Sequence, residues 1–235
     1  MRQLIRLFIV LLLYTASLYA QSAGGGLMLG FPEGEFKENV DRPGFGLSGQ
    51  VLIFNPSEVL PFGFGIDVGY LNYGNETRQE PFSLTIPDVV VDVERSNNLV
   101  NFHLLFQIAP PSGDVRPYAE LLFGGAYLWT ETSIKSRGDE EVASNTNFDD
   151  FAWNYGVGGG LLIQLYSPDE QEGSFESLFL DLKVRYLLGT EAEYLKEGSV
   201  TIDNGNVYYD VSRSKTDLLM TQIGVMFYFR SFSGN

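Results

Sequence analysis

The 235-residue sequence has no cysteine, a single histidine (His103), and only fifteen lysines and arginines against thirty acids. Without cysteine there is no disulfide framework, thiolate metal centre or cysteine nucleophile. One histidine leaves no multi-histidine metal site. A formal charge of −15 makes nucleic acid an unsuitable partner. Apolar runs long enough for a membrane helix are also missing, since a span needs about 20 consecutive apolar residues. A helical membrane protein is therefore excluded, and at this length the chain is expected to form one domain.

One short apolar run stands apart from the rest. Residues 1–20, MRQLIRLFIVLLLYTASLYA, combine Arg2 and Arg6, an apolar core from Leu7 to Tyr14, and small residues leading to Ala20. This pattern predicts a secretory signal peptide, with residues 21–235 as the mature domain. Its removal takes away two arginines and no acid, so thirteen bases face thirty acids, a net −17.

What the sequence has in abundance is glycine, phenylalanine and tyrosine, arranged with a period of two. In residues 98–109, Val100, Phe102, Leu104, Phe106 and Ile108 alternate with Asn101, His103 and Gln107; Leu99 and Leu105 break the rule. In 177–189, Leu178, Leu180, Leu182, Val184, Tyr186 and Leu188 alternate with Asp181, Lys183 and Arg185. Phe62, Phe64, Ile66, Val68 and Tyr70 oppose Gly63, Gly65, Asp67 and Gly69, while Ala119, Leu121, Phe123, Tyr127 and Trp129 oppose Arg116, Tyr118, Glu120 and Leu122. Leu219, Ile223, Val225, Phe227 and Phe229 oppose Gln222, Gly224, Tyr228 and Arg230, and Leu47, Val51 and Ile53 oppose Ser48 and Gln50. With the strand around Gly156 and a short first strand near 26–31, these runs predict eight strands.

Connections alternate in length. NPSEVLP, PPSGD and SPDEQEGSFE are short; the segments after Phe31, Tyr73, Trp129 and Gly189 are longer and acidic. Two of these contain strand-like sequence, 82–93 and 200–211, expected to extend the wall. Short turns at one end and long loops at the other are the rhythm of a transmembrane β-barrel.

The direction of the apolar face follows from the composition of the other one. A solvated face would be dense in Lys and Glu; here the polar set is Gly, Ala, Asn and Gln with scattered charges. That mixture suits an eight-stranded lumen, which side chains just fill. The expected fold is thus all-β, an eight-stranded antiparallel up-and-down transmembrane barrel, both termini on the short-turn side. Asp67, His103, Arg116, Glu120, Asp181, Lys183, Arg185 and Arg230 are expected to form a lumen polar network, with a gate or selectivity filter as the other reading of the same charges. Gly156, Gly158 and Gly160, in FAWNYGVGGGLLIQLY, could suggest a phosphate loop. No P-loop lysine follows, and LLIQLY continues the strand, so they are read as lumen glycines.

Leader, strand rhythm, loop asymmetry and the closing strand Met226-Phe227-Tyr228-Phe229-Arg230 together resemble the small OmpA/OmpX-like outer-membrane β-barrels, the "outer membrane protein beta-barrel domain" family. The resemblance runs from about Gly24 to Phe229. It implies a bacterial outer-membrane location, contact with outer-membrane lipid and lipopolysaccharide, and assembly by the barrel insertion machinery as a monomer. Such barrels often end on an aromatic residue; Phe229 or Phe232 is expected to take that role. The expected function is structural or interactive and non-catalytic, without cofactor or metal, and with an unknown extracellular partner at the acidic loops. Alternatives are a narrow passive channel, a lipid-modifying enzyme using His103, and a soluble lipocalin-like carrier. The acid-rich segment 131–150 has no EF-hand spacing, and Asn75-Glu76-Thr77 is read as an accidental glycosylation match.

Overall fold

The computed structural model describes residues 21–83, 86–135, 141–168, 175–203 and 206–229; the leader and Arg230 lie outside them. Among the described residues, ten strands and one short helix follow in the order β1 (Ser22–Pro32), α1 (Gly34–Asn39), β2 (Gly44–Phe54), β3 (Phe62–Ser83), β4 (Ile86–Ile108), β5 (Val115–Lys135), β6 (Glu141–Tyr166), β7 (Phe175–Gly189), β8 (Glu191–Asp203), β9 (Asn206–Lys215) and β10 (Leu218–Phe229). Eight of them close an antiparallel barrel in the order β1-β10-β7-β6-β5-β4-β3-β2. β1 completes the circle, with Gly26 opposite Gly224 of β10 and opposite Ser48 of β2. Closure leaves the ring without an edge, so its ladder hydrogen bonds are satisfied all round.

The period-two pattern sets which way each side chain points. One apolar residue from every barrel strand, Leu27, Leu47, Val68, Leu104, Leu121, Val157, Val184 and Ile223, faces outward at 43–58% exposure. Their strand neighbours Gln50, Asp67, His103, Glu120 and Arg185 are buried. Charge inside and an apolar belt outside is the inverse of a soluble barrel.

The lumen is stratified. Leu99 and Leu105, which break the alternation in sequence, are fully buried lumen residues. They join Met28, Leu52, Leu71, Leu122, Leu128 and Leu187 in one apolar cluster. A second cluster of Ala109, Tyr118, Leu162, Phe179, Met226 and Tyr228 lies toward the short-turn end. The polar interior expected from sequence is thus a band between apolar layers. Most of the buried charge is gathered in that band.

The wall is of unequal height. β3 to β6 are 22, 23, 21 and 26 residues long, against 11, 11, 15 and 12 for β1, β2, β7 and β10. Pairing of β2 with β3 reaches Asn72, and pairing of β7 with β6 starts at Asn154. Above those points β3, β4, β5 and β6 continue as a four-stranded sheet. Of the 82–93 segment, the described residues 82–83 and 86–93 extend the wall as expected.

The 200–211 segment does not. Its described residues, 200–203 and 206–211, lie in a separate two-stranded sheet, β8–β9. The reason is visible where β7 ends. The Asp217 carboxylate accepts the Gly189 N–H at 2.9 Å, and Thr190 N–H donates to Trp153 O at 2.8 Å. These bonds turn the chain away from the wall. The hairpin then packs against α1, a helical turn within the long acidic connection after Phe31. Phe36 of α1, fully buried among acidic neighbours in sequence, meets Tyr73 of β3 at 5.8 Å and Tyr194 of β8 at 5.1 Å, both edge-on. Together α1 and β8–β9 form a cap on the long-loop end.

Candidate functional site

Arg185 on β7 is the centre of the lumen, 1% exposed. Its Nη1 lies 2.8 Å from Asp67 Oδ2 on β3. Its Nε donates to Glu120 Oε1 on β5 at 2.5 Å and its Nη2 to Glu120 Oε2 at 3.2 Å. The fork on Glu120 is bidentate, the geometry that guanidinium suits best. The Asp67 contact is an ion pair off the hydrogen-bond direction, and among the described residues neither atom has a hydrogen-bond partner.

Lys183, two residues earlier on the same face, pairs with Asp181 Oδ2 at 2.8 Å and donates to Gln50 Oε1 at 2.5 Å. Tyr118 donates to Asp181 Oδ1 at 2.6 Å. Gln50 Oε1 also accepts from Arg185 Nη2 at 3.3 Å, so one amide oxygen joins the two halves of the network. A cavity of about 10 Å³ beside Lys183 and Gln50 is the size of a single water molecule.

His103 lies at the edge of this network. Its Nε2 is 2.8 Å from Asn154 Oδ1, and Asn154 Nδ2 donates to Asn101 Oδ1 at 3.0 Å. Its Nδ1 is 3.5 Å from Asp67 Oδ1. The ring is 2% exposed, held on β4 between β3 and β6 residues. A general base must reach the proton it takes; this imidazole meets only lumen side chains.

The structure therefore brings Asp67, His103, Glu120, Asp181, Lys183 and Arg185 together. Arg116 is elsewhere. It sits half-buried at the short-turn mouth, donates from Nε to Gly113 O at 2.9 Å, and stacks over Phe179 (4.5 Å) and Tyr228 (5.3 Å). The period of two gave it the right face but not its height along the barrel. Gln50, Tyr118, Asn101 and Asn154 are network members that the search for charged residues passed over. Their signal was their lumen-face position alone.

The three glycines line this interior. A Cβ on Gly158 would lie 2.7 Å from Glu120 Oε1 and 2.8 Å from Arg185 Cγ. One on Gly160 would meet the Tyr118 hydroxyl at 2.5 Å, and one on Gly156 the Leu187 side chain at 2.6 Å. The absent side chains of Gly158 and Gly160 make room for the ion-pair layer, and that of Gly156 for Leu187.

At the other end, carboxylates fasten the cap through backbone N–H groups. Glu35 accepts from Lys215 N at 3.2 Å, and Asp150 accepts from Glu193 N at 2.7 Å. The Tyr194 hydroxyl bonds Ser214 Oγ at 2.7 Å; burial pushes its phenol above the ordinary range, against the pull of its hydrogen bonds. On the exterior just below, Tyr70, Tyr127, Trp129, Phe151 and Trp153 form a girdle with ring contacts of 5.2–6.1 Å. Tyr70 and Tyr127 turn their hydroxyls to Asn98 (2.6 Å) and Asp149 (2.9 Å).

No protein-family model matches the sequence, and no curated protein matches it. Among solved structures the chain is similar to Neisserial surface protein A, at 11% identity and a TM-score of 0.38 over 88% of this chain and 96% of that one. It is also similar to Ail, the attachment invasion locus protein of Yersinia pestis, at 13% identity and 0.32 over 88% and 96%. A third is a major outer membrane protein from Thermus thermophilus, at 14% identity and 0.33 over 88% and 99%.

Proposed function

We propose that the chain is an integral outer-membrane protein of a bacterium, in which the barrel is a closed scaffold and the long-loop end carries the activity. The observation that supports this most is the belt. Every barrel strand exposes apolar side chains, while the mid-wall charges Asp67, Glu120, Asp181, Lys183 and Arg185 are buried. Water would penalise such an exterior, whereas a bilayer's hydrocarbon requires it. Aromatic rings at the upper rim suit the interface. The scaffold needs no second copy, and its natural surroundings are lipid, lipopolysaccharide and the insertion machinery.

Within the scaffold, the interior is a packed plug rather than a pore or an active site. Ion pairs fill the middle, and apolar layers lie on both sides. Among the described residues, β3 beyond Asn72 and β6 before Asn154 have a paired strand on one side only, which makes the upper sheet a surface for contact with another protein. The loops place most of the molecule's acid there, so the preferred contact is cationic. Carbonate-washed outer membranes test the location: the protein should remain in the pellet, and its appearance in the wash contradicts it. Planar-bilayer recording tests the plug: no large, stable, ion-selective steps are expected.

A further inference from the structure

The lipid-facing wall has a dent at the short-turn end. Pro61, Ile108, Pro110, Pro111, Pro117 and Ala119 line an open groove of about 390 Å³, a volume in the range of small-molecule sites, about 300–1,000 Å³. Its depth comes from small side chains. Ala119 of β5 pairs with Gly159 of β6, and both face outward between the bulky Leu121 and Leu161. Ile108 of β4, the partner of Ala119 across the other ladder, forms a wall.

Two properties suit this groove to an acyl chain. Its prolines carry no N–H, so hydrocarbon can lie against them without stranding a donor. Their fixed φ also keeps the rim from collapsing. Pro117 lies beyond the last β4–β5 pair, Ile108 with Ala119, so its missing N–H costs that ladder no bond.

Charge at the rim selects the headgroup. The two turns that border the groove, 55–61 and 109–114, contain Glu58 and Asp114 and no base. Both acids are exposed. Arg116, the nearest base in sequence, turns its guanidinium inward over Phe179 and Tyr228. The third short connection, 167–174, adds three acids and again no base in sequence. An anionic headgroup meets repulsion here, whereas an ammonium headgroup meets opposite charge.

We infer that this groove is a binding site for one phospholipid with an ammonium headgroup, phosphatidylethanolamine, its acyl chain over Ala119 and its headgroup beside Glu58 and Asp114. The inference rests on the membrane reading above. The test is native mass spectrometry of the full mature protein released from vesicles of equal phosphatidylethanolamine and phosphatidylglycerol content. One phosphatidylethanolamine should be retained in several-fold preference. Ala119→Trp, and the milder Ala119→Leu, should abolish retention while the barrel keeps its heat-modifiable gel mobility. Glu58→Lys with Asp114→Lys should move the preference toward phosphatidylglycerol, by about fivefold per charge changed near the surface. Equal retention of both lipids, or retention that survives both Ala119 variants, overturns the site alone. Failure of the wild-type protein to enter the vesicles overturns the membrane reading and the site with it.

Discussion

Arg185 and Asp67 meet across the lumen, 2.8 Å apart, although their strands β7 and β3 are not neighbours in the barrel. The contact joins opposite walls, and Glu120 on β5 adds a third point of attachment. Removing one member of a buried ion pair leaves the other charge uncompensated, at a cost of about 3–5 kcal/mol. Arg185→Met should therefore lower the temperature at which the folded gel form converts to the unfolded one. A concerted exchange, Arg185→Met with Asp67→Asn and Glu120→Gln, should recover much of that loss. Urea titration of the refolded protein in detergent checks both.

The glycine run divides by face. Gly158→Leu forces a side chain into Glu120 and Arg185, and should prevent formation of the heat-modifiable barrel. Gly159→Ala points outward, its Cβ meeting only Tyr118 O at 3.2 Å, and should fold normally. Refolding yield of the two variants, compared under the same conditions, distinguishes this wall from a nucleotide loop, in which neighbouring glycines would be equally sensitive.

Phe36 is the pin of the cap. Phe36→Ala removes the ring that joins Tyr73 and Tyr194, and truncation of a buried phenylalanine costs about 3–5 kcal/mol. That loss should appear locally, as faster proteolysis within residues 190–217 on intact cells. The barrel itself, closed by eight strands of its own, should keep its gel mobility.

A charge placed on the exterior should be as costly as the belt implies. Leu121→Arg puts a guanidinium among lipid-facing side chains, where midplane arginine costs about 2–4 kcal/mol in a barrel. Asp210→Arg, exposed above the barrel on β9, should have little effect. Equilibrium folding into phospholipid vesicles measures the difference.

Much of this architecture was legible in the sequence because a strand writes its orientation at every second residue. Phe102 and His103 differ in face for that reason alone. The two leucines that broke the pattern, Leu99 and Leu105, were equally informative in retrospect, since they mark where the lumen becomes apolar. What the period could not supply was height and partnership. Arg116 and Glu120 share a face of β5, yet one sits at the mouth and the other in the ion-pair layer. Gln50 carries no charge, so nothing in the sequence marked it as the atom that bridges Lys183 and Arg185. The cap was hidden for a different reason. Phe36 and Tyr194 meet through contacts more than 150 residues apart in sequence, while their local surroundings read as solvated loop.

Oxygen accessibility along β5 tests the central claim most directly. Nitroxide labels placed singly at Tyr118, Leu121, Leu122 and Phe123 in vesicle-reconstituted protein sample both faces of one strand. The account predicts strong collision with dissolved oxygen and almost none with a water-soluble nickel reagent at Leu121 and Phe123, and little collision with either at Tyr118 and Leu122. Nickel access at Leu121 and Phe123 would mean that the belt faces water, and would contradict it.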